Sequence, residues 1–184
     1  MFARTRRLLL RPGFMEDAPA LVRAIADPAI VRNLATAPWP YRLADAERFL
    51  AGERGPAEPS LLVLRRASGD PEIVGGIGLS AAPGGGIEIG YWIARPHWDK
   101  GYATEAGRAL IDIARRGLRL DRLVAGHFLD NPASGRVLEK LGFRPTGRVV
   151  RRASLARGGE APCREFVLDL DGEAEVAAPA TLAA

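Results

Sequence analysis

Apolar residues along this chain recur in two rhythms, one close to 3.6 and one close to 2, and the changes between them mark the elements. Residues 5–11 set three leucines between arginines, a strand-like run closed by Pro12 and Gly13. Leu21, Val22, Ile25, Ile30 and Val31 then follow helical spacing, and Pro28 breaks that stripe in two. A loop rich in Pro and aromatics, 35–42, leads to a short helix that begins near Asp45 as its N-cap. The rhythm then shortens. Residues 61–64 and 73–79 read as a hairpin around a turn at 68–71, and a second turn at 82–86 leads into a fourth strand, 87–94. A long helix over 101–118 follows from Ala103, Ala106, Leu110, Ile113 and Leu118. Residues 122–128 read as a fifth strand. The next helix carries its own punctuation: Asn131 as cap, Pro132 at its first position, and Gly142 for a left-handed exit with Phe143 packing back. Two closing strands flank a loop at 156–162.

This order makes the long helix a crossover between the fourth and fifth strands, which must then run parallel. The expected fold is α/β of mixed type. Its sheet is mostly antiparallel, with six to seven strands and helices on both faces.

Composition narrows the function classes. A chain of 184 residues suits one domain over 1–171, and the Ala-, Glu- and Pro-rich stretch 172–184 reads as a disordered tail. No apolar run approaches the ~20 residues of a membrane span, and the basic start is too weakly apolar for a secretory signal. Cys163 is the single cysteine, so no internal disulfide forms and a cytoplasmic location is expected. The net charge of +4 is spread out and comes almost wholly from Arg. That suits a phosphorylated small molecule or an acidic surface, whereas no nucleic-acid signature is present.

The stretch from His97 to Ala106, "HWDKGYATEA", joins a strand to a helix. A helix start offers unpaired N–H groups and a positive dipole end, and Gly101 lets a ligand approach the backbone. A diphosphate cradle and a plain connector both satisfy these facts. Two other phosphate loops are excluded: GxxxxGK[ST] is absent, and "GGIGLS" is not GxGxxG. On the fourth strand Ile87, Ile89, Tyr91 and Ile93 share one face, and Glu88, Gly90 and Trp92 the other. Glu88 therefore faces either a groove or solvent. His127 reads as a part-buried, hydrogen-bonded residue and His97 as an exposed one. Two His and one Cys make no zinc set, and Cys163 lacks the setting of a nucleophile.

Three stretches, "IEIGYWIARPHWDKGYATEA", "DNPASGRVLEKLGFRPTGR" and "TRRLLLRP", together resemble the GCN5-related N-acetyltransferase superfamily. Within it the chain is most similar to the RimJ/RimL branch of ribosomal-protein N-terminal acetyltransferases, across roughly residues 4–170. The resemblance implies acetyl-CoA as donor. It puts the diphosphate on Trp98, Asp99, Lys100, Gly101, Tyr102, Ala103 and Thr104, and pairs the pantetheine arm with the strand near Trp92 and Ile93. Asp99 departs from the Trp-Gly-Lys-Gly common in that branch and sets a carboxylate beside the phosphates. Asn131 is then a CoA contact as well as a cap, and Arg136, with Lys140 one turn on, either meets the CoA phosphates or faces solvent.

By the same resemblance Ser134 is the general acid for the leaving thiolate, against a bland reading as an exposed helix-start serine, and Glu88 is the base, acting directly or through water. An α-amine, with a pKa of ~7.7–8.0, asks less of such a base than a lysine at ~10.4. The expected reaction is direct attack in a ternary complex, with a strand N–H polarising the thioester carbonyl. The acceptor is a protein N-terminus, or alternatively an antibiotic, polyamine or amino acid; a CoA-binding module without catalysis is the further alternative. No metal, membrane or nucleic acid enters this reading.

Overall fold

The computed structural model describes residues 1–66 and 71–170; the predicted turn at 68–71, Pro71 apart, and the predicted tail lie outside the described residues. Eight strands, β1 (Ala3–Arg4), β2 (Leu8–Arg11), β3 (Ser60–Arg65), β4 (Glu72–Ala81), β5 (Ile87–Ile93), β6 (Arg122–Phe128), β7 (Arg144–Ser154) and β8 (Gly159–Asp169), make one mixed sheet. Their order is β1-β2-β3-β4-β5-β6-β8-β7. Every pairing is antiparallel except β5 with β6. The helices are α1 (Ala18–Ile25), α2 (Pro28–Val31), α3 (Leu43–Ala51), α4 (Tyr102–Asp112) and α5 (Pro132–Lys140).

Strand alternation builds two cores. Leu61 and Val63 of β3 point into a cluster with Leu110 of α4 and Leu138 of α5, while Leu62 and Leu64 point into one with Leu21, Val31 and Ala46 of α1–α3. A strand covered on both faces reads as a continuous apolar run rather than an alternation, which is why β3 and β4 look unpatterned in the sequence. Glycines fit the sheet to what crosses it: a Cβ at Gly126 would lie 2.7 Å from Cys163 Sγ.

The sheet has one strand more than the upper expected number because the first strand divides. Thr5 turns the chain, its N–H donating to Leu8 O at 3.0 Å and its Oγ1 accepting from Leu8 N–H at 2.9 Å. Ala3–Arg4 thereby folds back on β2. Asp45 is not the N-cap of α3. Arg42 holds that place, and Asp45, one turn in, accepts the Arg42 N–H at 2.9 Å. The long helix leaves α-geometry at Ile113 for a π-helical turn, Ile113–Gly117, closed by Leu118 N–H on Ile113 O. Pro28 divides α1 from α2 as its position requires, with Asp27 capping Ala29 N–H at 2.8 Å. No helix among the described residues is long and apolar enough to cross a membrane.

Candidate active site

The site begins where β5 and β6 fail to stay together. They run parallel and pair at one position, Glu88 opposite Val124. Beyond it they diverge toward their C-terminal ends, and the ladders on their outer sides show which backbone groups are left over. Ala94 N–H bonds to Val74 O across β4, so alternation turns the N–H and C=O of Tyr91 and Ile93 away from β4 and into the gap. Leu129 N–H bonds to Pro162 O across β8, so Gly126 and Phe128 face the gap from the other side. Two of these groups are already capped: Ile93 O by Trp98 Nε1–H at 2.7 Å, and Phe128 O by Asn131 N–H at 2.8 Å. What is left is an unzipped ladder of main-chain donors and acceptors. The backbone expected to receive a ligand near Trp92 is thus that of Tyr91 and Ile93, because Trp92 pairs with Gly76.

On the α4–α5 side, α5 starts beside the gap. Asn131 Oδ1 accepts the Ser134 N–H at 3.4 Å, so Asn131 is the cap that its sequence predicts. Gly142, at φ 91°, ends the helix, and Phe143 packs back at 2 % exposure. Ser134 meets Tyr91, whose Oη lies 2.8 Å from Ser134 Oγ and 3.0 Å from Ser134 O. Burial pushes the Tyr91 phenol up to about 12, against a smaller lowering by Ser134. Arg136 and Lys140 are exposed on the outer face of α5.

The loop before α4 makes two left-handed turns, Asp99 at φ 59° and Gly101 at φ 77°. Asp tolerates this region better than most residues, so the turn survives the exchange of Gly for Asp. Gly101 is the N-cap of α4 and Trp98, Asp99 and Lys100 are exposed, whereas the Tyr102 ring is buried at 8 % and offers only its backbone. Ala103 and Thr104 occupy the first turn, part-buried. Three contacts hold the turn from below. Glu105 accepts from Thr5 Oγ1 at 2.6 Å, Arg7 N at 2.9 Å and Arg7 Nε at 2.6 Å. Burial alone would raise the Glu105 carboxyl, but these donors outweigh it and hold it below its usual range. Arg7 lies over the Tyr102 ring, and its Nη2 is 3.5 Å from where a Gly101 Cβ would be.

His97 is a correction. It is 9 % exposed, not solvated: the turn Arg95–His97 tucks its ring beside Tyr102, and Nε2 meets Glu72 Oε1 at 3.1 Å. His127 is buried as read, with Nδ1 2.9 Å from Phe128 O.

The α1–α3 side carries Glu88, Gly90 and Trp92. Among the described residues nothing lies within 4 Å of a Cβ built on Gly90, so an open slot separates the Glu88 and Trp92 side chains. Glu88 is not free. Arg152, from the far edge strand, donates Nη1–H to both its oxygens at 2.7 Å, the two side chains being 17 % and 19 % exposed. Arg152 Nη2 lies 3.9 Å from Glu165. Cys163 sits beneath them, 3 % exposed, its thiol pushed up chiefly by burial. A strap crosses this face near the splayed strand ends. Ser154 Oγ donates to Leu34 O at 2.8 Å, Leu155 N–H to Ala35 O at 3.0 Å, and Arg157 reaches Arg32 O at 2.6 Å and Asp130 at 2.8 Å.

Glu88 and Ser134 therefore stand on opposite faces of the sheet, with the gap between β5 and β6 as the passage that joins them. Sequence reading missed Tyr91, Arg152 and Arg7. Tyr91 carried a signal, since a hydroxyl on an otherwise aliphatic buried face needs a partner.

A model of the GNAT acetyltransferase domain matches residues 7–144. The "Uncharacterized N-acetyltransferase p20" of Bacillus licheniformis is 29 % identical over 161 residues, 84 % of this chain and 88 % of that protein. Among solved structures, the ribosomal-protein-S5-alanine acetyltransferase of Vibrio fischeri superposes with a TM-score of 0.76 at 15 % identity, over 93 % of this chain and 97 % of that one. The microcin C7 self-immunity acetyltransferase MccE, solved with acetyl-CoA and AMP, gives 0.72 at 19 % identity, over 90 % and 93 %. At these identities the two structures speak for the fold alone.

Proposed function

This chain belongs to the GNAT acetyltransferase domain family, and from that premise we propose that it acetylates a primary amine, the α-amine of a protein or peptide N-terminus above all. It is an acyltransferase, and acetyl-CoA is its donor. The observation that carries the reading is the single β5–β6 rung at Glu88 and Val124, beyond which main-chain groups on both strands face an open gap. A pantetheine arm, with its own amides, is a strand-like partner for Tyr91 and Ile93, and extended chains add to unpaired strands in this way. The diphosphate then falls to the α4 start, from Trp98 to Thr104, and Asn131 and Arg136 flank the arm from α5.

The acceptor enters from the α1–α3 side, over Gly90. Its nitrogen attacks the thioester carbonyl, a β5 N–H steadies the oxyanion, and the C–S bond breaks. Ser134 gives its hydroxyl hydrogen to sulfur and recovers one from water, while the ammonium proton leaves toward Glu88 or a water beside it. A thiol pKa of ~8.5 makes the thiolate an acceptable leaving group, so the help from Ser134 is modest. Both Glu88 oxygens already accept from Arg152, which favours an acceptor that needs little base. At pH 7 about a tenth of α-amines are neutral, against well under a thousandth of lysines.

Titration calorimetry with CoA and acetyl-CoA tests the donor; no binding below millimolar would sink the reading. Thiol release with free-amine peptides, N-terminally blocked lysine peptides, polyamines and amino acids tests the acceptor. Glu88→Gln is expected to lower kcat about tenfold or more at neutral pH, within the range for general base catalysis. That deficit should shrink as pH rises through ~8, because an α-amine then arrives neutral; a deficit independent of pH would remove Glu88 as base. A second reading, a small-molecule amine as acceptor, draws on the strap between Leu34 and Ser154, which roofs part of the α1–α3 side. Turnover of small amines in preference to peptides would select it.

A further inference from the structure

We infer that Tyr91 is a positioning residue for the leaving group, holding the Ser134 hydroxyl in place and feeding it a hydrogen bond as negative charge gathers on the CoA sulfur. The inference rests on the reading of Ser134 given above and goes beyond it, because it assigns a task to a residue that sequence periodicity placed among plain core positions.

The geometry is specific. Tyr91 belongs to β5, the strand that lines the gap, and its side chain leaves the sheet on the α4–α5 side with Ile87, Ile89 and Ile93. Its hydroxyl makes two contacts, both to one residue: Ser134 O at 3.0 Å and Ser134 Oγ at 2.8 Å. A carbonyl oxygen has no hydrogen to give, so at rest the single Tyr91 hydrogen goes to Ser134 O. The Oη lone pairs then receive the Ser134 hydroxyl, which fixes its rotamer. Ser134 O, in the first turn of α5, accepts the helical N–H four residues on and keeps a second lone pair for Tyr91.

When the C–S bond breaks, the demand changes. Ser134 turns its hydrogen toward sulfur and leaves Oγ as an acceptor. The Tyr91 hydrogen needs only to swing from Ser134 O to Oγ, two atoms that both lie within hydrogen-bond reach of Oη. The result is a chain, Oη–H to Oγ–H to sulfur, in which each donor is polarised by the one behind it. No covalent bond at Tyr91 is made or broken. Its phenol stays protonated throughout, as a group pushed up to about 12 must at neutral pH, so it acts only by orientation and hydrogen bonding.

A bland role competes with this one: the same two contacts dock the first turn of α5 on β5. Steady-state kinetics of a double-mutant cycle on the full chain separates the two. Tyr91→Phe keeps the ring and removes the hydroxyl. In the parent background it is expected to lower kcat about five- to thirtyfold with KM for acetyl-CoA within twofold, a fraction of the usual acid-base contribution. In a Ser134→Ala background, where there is no hydroxyl to serve, the same exchange should change kcat less than twofold. Equal fold losses in both backgrounds, a shift in KM or in CoA affinity instead of kcat, or no loss in the parent would each overturn the inference. If Ser134→Ala itself turns over like the parent, the assigned acid is wrong and the inference falls with it, a failure readable from that variant alone. Tyr91→Met, which also fits among the isoleucines, repeats the comparison should the Phe variant melt below assay temperature.

Discussion

Asp99 shows how one residue pulls against its setting. It adopts φ 59°, where a residue with a side chain is strained and glycine is not. Its exposed carboxylate also stands one residue before the Lys100–Gly101 step that opens α4. Asp99→Gly should relieve the strain and remove a negative charge beside the proposed diphosphate site. CoA affinity is expected to rise about three- to tenfold at low salt, and the gain should fade as salt approaches 1 M. Calorimetry at two ionic strengths checks this, and an unchanged or weaker affinity would mean that the carboxylate points away from the phosphates. At this scale the sequence was legible at most places where a residue answers to its neighbours, Asp45 excepted. Asn131 caps Ser134 three positions on, and Gly142 closes the helix it follows. It was silent where partners are remote: Arg152 meets Glu88 across 64 positions, Tyr91 meets Ser134 across 43, and His97 meets Glu72 across 25. Nothing within a window of ten residues names the partner that any of those side chains meets.

Elements were read well where one period runs unbroken, and less well where a boundary is set from outside. β6 falls on the predicted residues, and Pro28 breaks α1 from α2 where expected. The start of α3 shifted because a carboxylate serves either as the cap itself or, one turn in, as a partner for the cap's N–H; here Asp45 does the latter. The divergence of β5 from β6 had no signal in the pattern of the two strands themselves; only the family resemblance implied a splayed strand end near Trp92 and Ile93. Both are short apolar runs, and either would suit a fully zipped parallel pair. For α5, Asn131→Ala removes the cap and should cost about 1 kcal/mol. In a domain of this size that lowers the melting temperature by about 2–4 °C. A drop below half a degree, by calorimetry at pH 7, would show that Pro132 and the β5 contacts alone hold the helix start.

The molecule as a whole is tied together by arginine–carboxylate pairs, and that sets its response to acid. Asp17 is held low first by the Arg11 hydrogen bond, Glu72 by Arg65 and then His97, and Asp130 by Arg157 and then Arg32. Glu105 is low despite burial. Each is a carboxylate whose folded value lies below its unfolded one. The stability it contributes is complete above the unfolded values of ~3.9–4.3 and is lost as pH falls through the folded ones. Urea midpoints should therefore be flat from pH 8 to about 5 and fall steeply below about 4. A midpoint at pH 3 equal to that at pH 7 would refute these pairings as stabilising.

Five strands lie on one side of the Glu88–Val124 rung and three on the other. On the proposed reading the donor is recognised largely by the main chain exposed between them; no side-chain substitution deletes a peptide carbonyl, and only proline deletes an N–H. On the same reading the acceptor side is drawn in side chains, Trp92, Arg152 and Ser154 around Glu88, and those three can change without touching the donor. Such a sheet inherits its donor almost indelibly and its acceptor only loosely. One scaffold can then keep a single currency of acyl transfer while its clientele changes from descendant to descendant.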